Sequence, residues 1–205
     1  MPLVVIGVTG VPGSGKSTVA KLFAQCGSAV LDADAVVHEL LQPGTAAFRD
    51  IVRVFGRGIL DAGGAVDRKR LGAAVFTNTA KRRQLERILH PRVWRRMRGE
   101  LGRLARAGRV KAAVLDVPLL FESGGEKFAD AVVVVAAPTN VRYRRLKQRH
   151  GWTRKEVDAR TAAQWSLSAK VVLADFVVDN GRTLSATRKQ VNGLWKTLVA
   201  RRRQS

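Results

Sequence analysis

Cysteine is almost missing from this 205-residue chain, which has Cys26 and no other. A single thiol excludes an intrachain disulfide and leaves no cysteine-based metal site, and it fits a reducing compartment. Long apolar runs are missing too. The longest, Ala131 to Ala137, is strand-sized, far short of the roughly 20 residues that cross a membrane as a helix. The opening MPLVVIGVTG has no basic residue ahead of its short apolar stretch, which closes on glycines, so no signal peptide is expected. The three histidines, His38, His90 and His150, show no H-x-x-x-H or H-x-x-E-H spacing, so no helical zinc site is expected. Four Trp, one Tyr and seven Phe lie scattered along the chain, which provides no obvious stacking platform for bases. These absences lead to the expectation of a soluble, cytoplasmic protein with no membrane partner.

Acidic residues are also scarce. The 16 Asp and Glu face 37 Lys and Arg, a formal net charge of +21. A charge of this size invites a nucleic-acid reading, yet its placement is regional. Residues 1–37 net zero and residues 111–141 net −2, whereas 38–110 carry +11, 142–170 carry +7 and 171–205 carry +5. The near-neutral blocks hold the strand-like runs; the basic blocks look like surface helices and a tail. The charge therefore bears on faces and partners and not on the fold. At 46% hydrophobic residues the chain has ample material for a core, which excludes wholesale disorder.

Leu3–Val8 is a short apolar run rich in β-branched residues and bounded by Gly10, Pro12, Gly13 and Gly15, the pattern of a central parallel strand. Lys16–Gln25 reads as a helix ending near Gly27. Ser28–Leu31, Val114–Val117, Ala131–Ala136 and Phe176–Val178 read as further strands. Strands separated by helical stretches predict βαβ units and a parallel sheet flanked by helices. Within 38–110, Leu85, Ile88, Leu89, Val93, Met97, Leu101 and Leu104 recur at helical spacing between arginines, which predicts a helical insertion that Pro91 should kink or break. Residues 142–170 form a second basic helical stretch interrupted near Gly151. Residues 184–200 form a closing helix, followed by a frayed Arg201–Ser205 tail.

One motif sets the chemistry. Gly10-Val-Pro-Gly-Ser-Gly15-Lys16-Ser17 fits G-x-x-x-x-G-K-[ST] between a strand and a helix. Glycines let successive N–H groups turn inward as an anion nest, and the following helix aims its positive end at the phosphates. Lys16 can reach the β- and γ-phosphates, and the Ser17 hydroxyl can ligate Mg²⁺. Asp32 and Asp34 follow the second strand and share a face if that strand continues. Either could orient or deprotonate an attacking hydroxyl, or both could be turn or N-cap residues of an Ala35–Leu41 helix. Asp116 closes a hydrophobic strand, a place for a Mg²⁺-linked carboxylate and also a common place for any aspartate. His90-Pro91 reads as structural or substrate-contacting. The arginines of 142–170 either face solvent or, for one or two of them, reach phosphates as part of a closing segment.

The chain resembles the dephospho-CoA kinase family, the P-loop kinases of the last step of coenzyme A synthesis. The resemblance runs through Gly7-Val-Thr-Gly and Gly13-Ser-Gly-Lys-Ser-Thr18, then Leu31-Asp-Ala-Asp34, Gln42-Pro-Gly44, Phe55-Gly56 and Val66-Asp-Arg68. It continues with Leu89-His-Pro91, Pro118-Leu-Leu-Phe-Glu122, Arg160-Thr-Ala-Ala-Gln164 and Ala174-Asp-Phe-Val-Val-Asp-Asn-Gly181. It implies a P-loop kinase fold: a nucleotide-binding core (1–37, 111–141 and 171–205), a helical CoA-substrate domain (38–110) and a helical lid (142–170). It implies transfer of the ATP γ-phosphate to the ribose 3′-hydroxyl of dephospho-CoA, with Mg²⁺. Carried over by motif, Asp34, Lys16, Arg149 and Arg160 are the catalytic candidates. Gly13, Ser14, Gly15, Lys16, Ser17 and Thr18 are the ATP-phosphate candidates, with Asn180 and Gly181 near the adenine. Asp34, His90, Pro118, Leu119 and Glu122 are the acceptor candidates, and Ser17 and Asp116 the Mg²⁺ candidates. Val11-Pro12 stands where family loops often carry Gly-Ile. Proline offers no N–H, which leaves Gly13 to Ser17 as donors. The expected partner is a small molecule, with no specific nucleic acid, in a monomer or weak homo-oligomer. The alternatives are another small-molecule P-loop kinase acting on a nucleoside or nucleotide, and a basic nucleic-acid-binding P-loop protein.

Overall fold

The computed structural model describes residues 3–76 and 78–201, the side chains of residues 76 and 201 excepted. Five parallel strands form one sheet: β1 (Val4–Thr9), β2 (Ala29–Asp32), β3 (Ala112–Asp116), β4 (Ala131–Ala136) and β5 (Phe176–Asp179), in the order β2-β3-β1-β4-β5. β1 is central, and Ile6 and Val8 are fully buried, as the unbroken apolar run predicts. α1 (Lys16–Gln25) follows β1 and α9 (Leu184–Arg201) closes the chain. Both pack on one face of the sheet, where Val19, Leu22, Phe23, Val191 and Leu198 meet Ile6, Val8, Val114 and Val133. Phe23 is fully buried, and its loss to alanine costs about 3–5 kcal/mol. The carboxylates of Asp130 and Asp175 accept from the strand N–H groups of Val5 (2.7 Å) and Val132 (2.8 Å), which fixes strand entry.

The chain divides into two compact units, 1–32 with 101–205, and 33–100. The second is helical: α2 (Ala33–Leu40), α3 (Ala46–Phe55), α4 (Arg68–Phe76) and most of α5 (Thr79–Ala107). Its own core joins Leu41, Ile51, Ile59, Leu71 and Leu89. The first unit completes itself with α6 (Thr139–His150), α7 (Arg154–Ala162) and α8 (Leu167–Val172). Among the described residues no helix is long and apolar enough to cross a membrane.

Two expectations change, and a third lies mostly outside the described residues. α5 runs unbroken through Pro91. A proline inside a helix costs about 3 kcal/mol, but buried Leu89, Val93, Trp94 and Met97 surround it, and each such side chain contributes about 1.5–3 kcal/mol. Burial therefore outweighs the missing bond, and Arg92 Nη1 donates to the nearby Ile88 carbonyl at 2.7 Å. β2 also ends at Asp32, and helix α2 starts at once with Ala33. Asp32 and Asp34 thus do not share a strand face, and Asp34 lies in the first turn of α2. The third is the frayed tail, which falls on 202–205, outside the described residues, while Arg201 belongs to α9.

Candidate active site

In an open parallel sheet the ligand crevice lies beyond the strand C-termini, where the strand order reverses. Here that point is the end of β1, flanked by β3 on one side and β4 on the other. The glycine loop leaves from it. Gly10, Gly13 and Gly15 have φ of 151°, 78° and 91°, and each is also crowded. A β-carbon on Gly10 would stand 2.5 Å from the Val135 carbonyl oxygen, and one on Gly13 would stand 2.8 Å from the carbonyl of Arg142. Glycine is therefore required twice over, by backbone conformation and by space.

The loop's carbonyls are tied from outside. Arg142 Nη1 donates to Pro12 O at 3.3 Å, and Arg145 Nη1 lies 3.4 Å from both Gly13 O and Ser14 O. Asn180 Nδ2 donates to Ser14 O at 2.8 Å, and Arg145 Nη2 donates to Asn180 O at 2.8 Å. Asn180 is buried; its Oδ1 accepts from Thr187 Oγ1 (2.9 Å) and its N–H donates to Ala136 O (2.8 Å). Within the loop, the Ser14 N–H donates to Val11 O at 3.1 Å. That bond closes a turn at the head of the loop. The Ser14 side chain is buried and meets no hydrogen-bond partner. Gly15 is the αL N-cap of α1, so Lys16 and Ser17 open that helix, where the first N–H groups have no intrahelical acceptor. Lys16 is half-buried; Ser17 and Thr18 are exposed.

The strand ends on one side carry carboxylates. Asp116, 5% exposed, is in register with Val8 of β1 and with Asp32 of β2. Ser17 and Asp116 offer oxygen donors, the type a hard cation takes, and Mg²⁺ usually keeps phosphate and water in its remaining positions. Among the described residues no group of three or more His, Cys, Asp or Glu is placed to hold a metal.

Beyond Asp116, the Pro118–Glu122 segment is held by side chains. Pro118 O accepts from Thr9 Oγ1 (3.0 Å) and Lys170 Nζ (2.8 Å). Glu122 pairs with the fully buried Lys170 at 2.9 Å and accepts the Trp165 N–H at 2.9 Å. Removing one partner of such a pair costs about 3–5 kcal/mol. Pro118 and Leu119 are half-buried, and the Leu119 carbonyl accepts from Ser123 Oγ. Gly181 backs against Pro138, whose ring occupies the space a β-carbon would need, and its N–H donates to Asp179 Oδ1.

In the basic stretch, Arg149 is exposed near the end of α6. Arg160 is exposed and its guanidinium sits 4.0 Å over the Trp152 ring, which stacks on His150 with centroids 4.5 Å apart. Thr153 and Glu156 form a capping box at the start of α7. The Thr153 backbone N–H, then its hydroxyl, hold the Glu156 carboxyl below its ordinary value, with Arg160 adding to the effect. In the helical unit, Asp34 is exposed and His90 half-buried. A cleft of about 390 Å³ there is lined by Thr45, Arg92, Arg95, Arg96 and Glu100 among others. Arg92 is paired with Asp50 and Arg96 with Glu39.

Arg142, Arg145 and Lys170 were not singled out from the sequence as site residues. Their partners in the loop, at Asn180 and in the 118–122 segment lie 35 to 132 residues away, so no local spacing marks them.

A family model described as dephospho-CoA kinase matches residues 4–185. The dephospho-CoA kinase of Geobacillus kaustophilus is 44% identical over 191 residues, 93% of this chain and 94% of that protein. The crystal structure of TT1252 from Thermus thermophilus superposes with a TM-score of 0.77 at 34% identity, covering 97% of this chain and 99% of that one. The dephospho-CoA kinase from Campylobacter jejuni superposes at 0.69 with 26% identity, covering 96% and 97%.

Proposed function

The chain belongs to the dephospho-CoA kinase family, and on that premise we propose how its own side chains carry out ATP-dependent phosphorylation of dephospho-CoA. It is a phosphotransferase with a P-loop fold. The observation that carries the reading is the braced loop: its carbonyls are turned to Arg142, Arg145 and Asn180, which leaves the opposite edge of the loop for phosphate oxygens.

In this reading the N–H groups of Gly13, Gly15, Lys16, Ser17 and Thr18 line the phosphates, although Thr18 N–H also donates to Gly15 O. Lys16 neutralises charge on the β- and γ-phosphates. Ser17 and Asp116 would hold Mg²⁺, which supplies charge neutralisation at the phosphates when bound. Asp34 orients the 3′-hydroxyl of the acceptor ribose and takes its proton. The oxygen forms a bond to the γ-phosphorus as the bond to the bridging β–γ oxygen breaks, and ADP leaves. Arg149 and Arg160 supply cations from the 142–170 segment as it closes, with Arg160 released from Trp152. Residues 38–110 hold the acceptor, with His90 and the arginine-lined cleft near its anionic part, while Pro118, Leu119 and Glu122 shape the acceptor side. Asn180 and Gly181 serve the nucleotide by holding the loop and the turn after β5. Membership of a coenzyme A synthesis family supports a small-molecule substrate and a cytoplasmic location for this reading.

The test is ADP release and product formation by the purified protein with ATP, Mg²⁺ and dephospho-CoA, against a panel of nucleosides and nucleotides. Transfer to dephospho-CoA is expected. It should fall on the order of 10²-fold or more in Lys16→Ala and about 10²–10⁴-fold in Asp34→Asn. An enzyme that ignores dephospho-CoA and phosphorylates a nucleoside overturns the reading.

A further inference from the structure

We infer that Lys170 is a positioning residue for phosphoryl transfer: through Glu122 and the Pro118 carbonyl it fixes the 118–122 segment against the strand end that leads into the phosphate loop. The inference rests on the kinase reading above.

Lys170 is fully buried on α8. An ammonium has three protons to donate, and three acceptors meet it: Glu122 Oε1 at 2.9 Å, Glu122 Oε2 at 3.1 Å and Pro118 O at 2.8 Å. Glu122 also accepts the Trp165 N–H, and the Trp165 ring stacks on Phe121 with centroids 6.2 Å apart and planes 5° apart. Pro118 O also accepts from Thr9 Oγ1, and the Val117 N–H donates to Val8 O at 3.0 Å. One cation thus joins four pieces of chain: the end of β1, the exit of β3, the 164–165 corner and α8. Thr9 immediately precedes Gly10 of the loop, and Pro118 lies two residues beyond Asp116.

A buried pair of this kind is poor at raising stability, since an apolar side chain of similar volume does as well or better. What an apolar residue cannot supply is direction. Its contacts tolerate sliding, whereas the ammonium sets where the Pro118 carbonyl and the Glu122 carboxylate lie. The consequence is geometric: the edge of the acceptor side and the departure point of the phosphate loop are held in one register. Misplacing reacting groups by about 1 Å is enough to lower turnover 10²-fold.

The experiment separates position from stability. Lys170→Met strands the Glu122 charge and is expected to lower both the melting temperature and kcat. Lys170→Met with Glu122→Gln removes both charges, so melting temperature should recover. Its kcat should stay about tenfold or more below wild type while the KM for ATP moves by no more than about twofold. Recovery of kcat together with melting temperature overturns the inference, because the pair then only stabilises. If the double variant remains unstable, kcat and ATP affinity are compared well below its melting temperature. Wild-type turnover there overturns the inference; a tenfold deficit with intact ATP binding supports it. Wild-type protein in the same assay keeps the two readings apart. No transfer by wild type refutes the kinase reading, whereas active wild type with undiminished turnover in Lys170→Met refutes only the positioning role.

Discussion

The side-chain amide of Asn180 occupies the place that a β-carbon on Gly15 would take. From there its Nδ2 donates to Ser14 O at 2.8 Å, and Thr187 Oγ1 donates to its Oδ1 at 2.9 Å. The glycine that caps α1 and the asparagine that follows β5 therefore need one another. Glycine provides the αL conformation and the vacancy; asparagine fills it and holds the loop's carbonyl.

Gly15→Ala should consequently do more than strain one residue at φ 91°. It should drive out Asn180 and loosen the loop, with ATP binding lost and the melting temperature lowered. Asn180→Ala should remove the shorter of two bonds at both the Ser14 carbonyl and the Thr187 hydroxyl, leaving Arg145 Nη1 at 3.4 Å and Thr183 O at 3.3 Å, at a cost of about 0.5–1.5 kcal/mol per bond. Isothermal titration with ATP and thermal unfolding read both effects. Unchanged ATP affinity in both variants would mean that the brace does not shape the phosphate site.

Arg145 reaches three carbonyls, those of Gly13, Ser14 and Asn180. A lysine keeps the charge but lacks the planar fork. Arg145→Lys is therefore expected to raise the KM for ATP several-fold, with a smaller change for dephospho-CoA. Steady-state kinetics with each substrate varied in turn would expose the opposite pattern, which would move Arg145 to the acceptor side.

Much of this was legible from residues and spacing. β1, the glycine loop and α1 were readable because an apolar run, paired turn glycines and a Gly-Lys-Ser helix start are local features. The same holds for Ala131–Ala136, whose span agrees with β4. Asn180 shows where local reading ends. The resemblance puts it near the adenine, and the fold adds a second part that no spacing marks: it braces the loop through a carbonyl 166 positions away. Lys170 is similar: a lysine in a helix of six residues reads as surface until the fold brings Glu122 beneath it. For Asp32 and Asp34 the shared strand face and the start of a helix stayed open, because nothing in Leu31-Asp-Ala-Asp shows that β2 stops at Asp32 and α2 begins at Ala33.

Asp116 lies beside β1 in the sheet register and is almost fully buried. If it helps hold Mg²⁺, Asp116→Asn should shift the Mg²⁺ concentration needed for half-maximal activity upward by about tenfold, near 1.4 kcal/mol of binding. A magnesium titration of initial rates at saturating ATP checks this. A lowered rate with an unchanged magnesium midpoint would give Asp116 a structural part only.

The capping box at α7 yields a prediction with a definite pH sign. Thr153 Oγ1 accepts from the Glu156 N–H at 3.3 Å, while Glu156 Oε2 accepts from the Thr153 N–H at 2.8 Å. Hydrogen bonds from Thr153, backbone first, hold the Glu156 carboxyl below its ordinary value. A carboxyl depressed in the folded state stabilises above its unfolded value, about 4.3. That contribution fades as pH falls through the lower folded value. Glu156 is exposed, so the effect is local fraying of α7 and not global unfolding. Amide exchange across Arg154–Ala162, compared between wild type and Glu156→Gln, should show greater protection in wild type at neutral pH. The difference should fade as pH falls below the ordinary carboxyl range and the depressed carboxylate takes up its proton. A difference that persists unchanged in acid would mean that the neutral carboxyl caps the helix equally well, and that charge at its first turn contributes nothing.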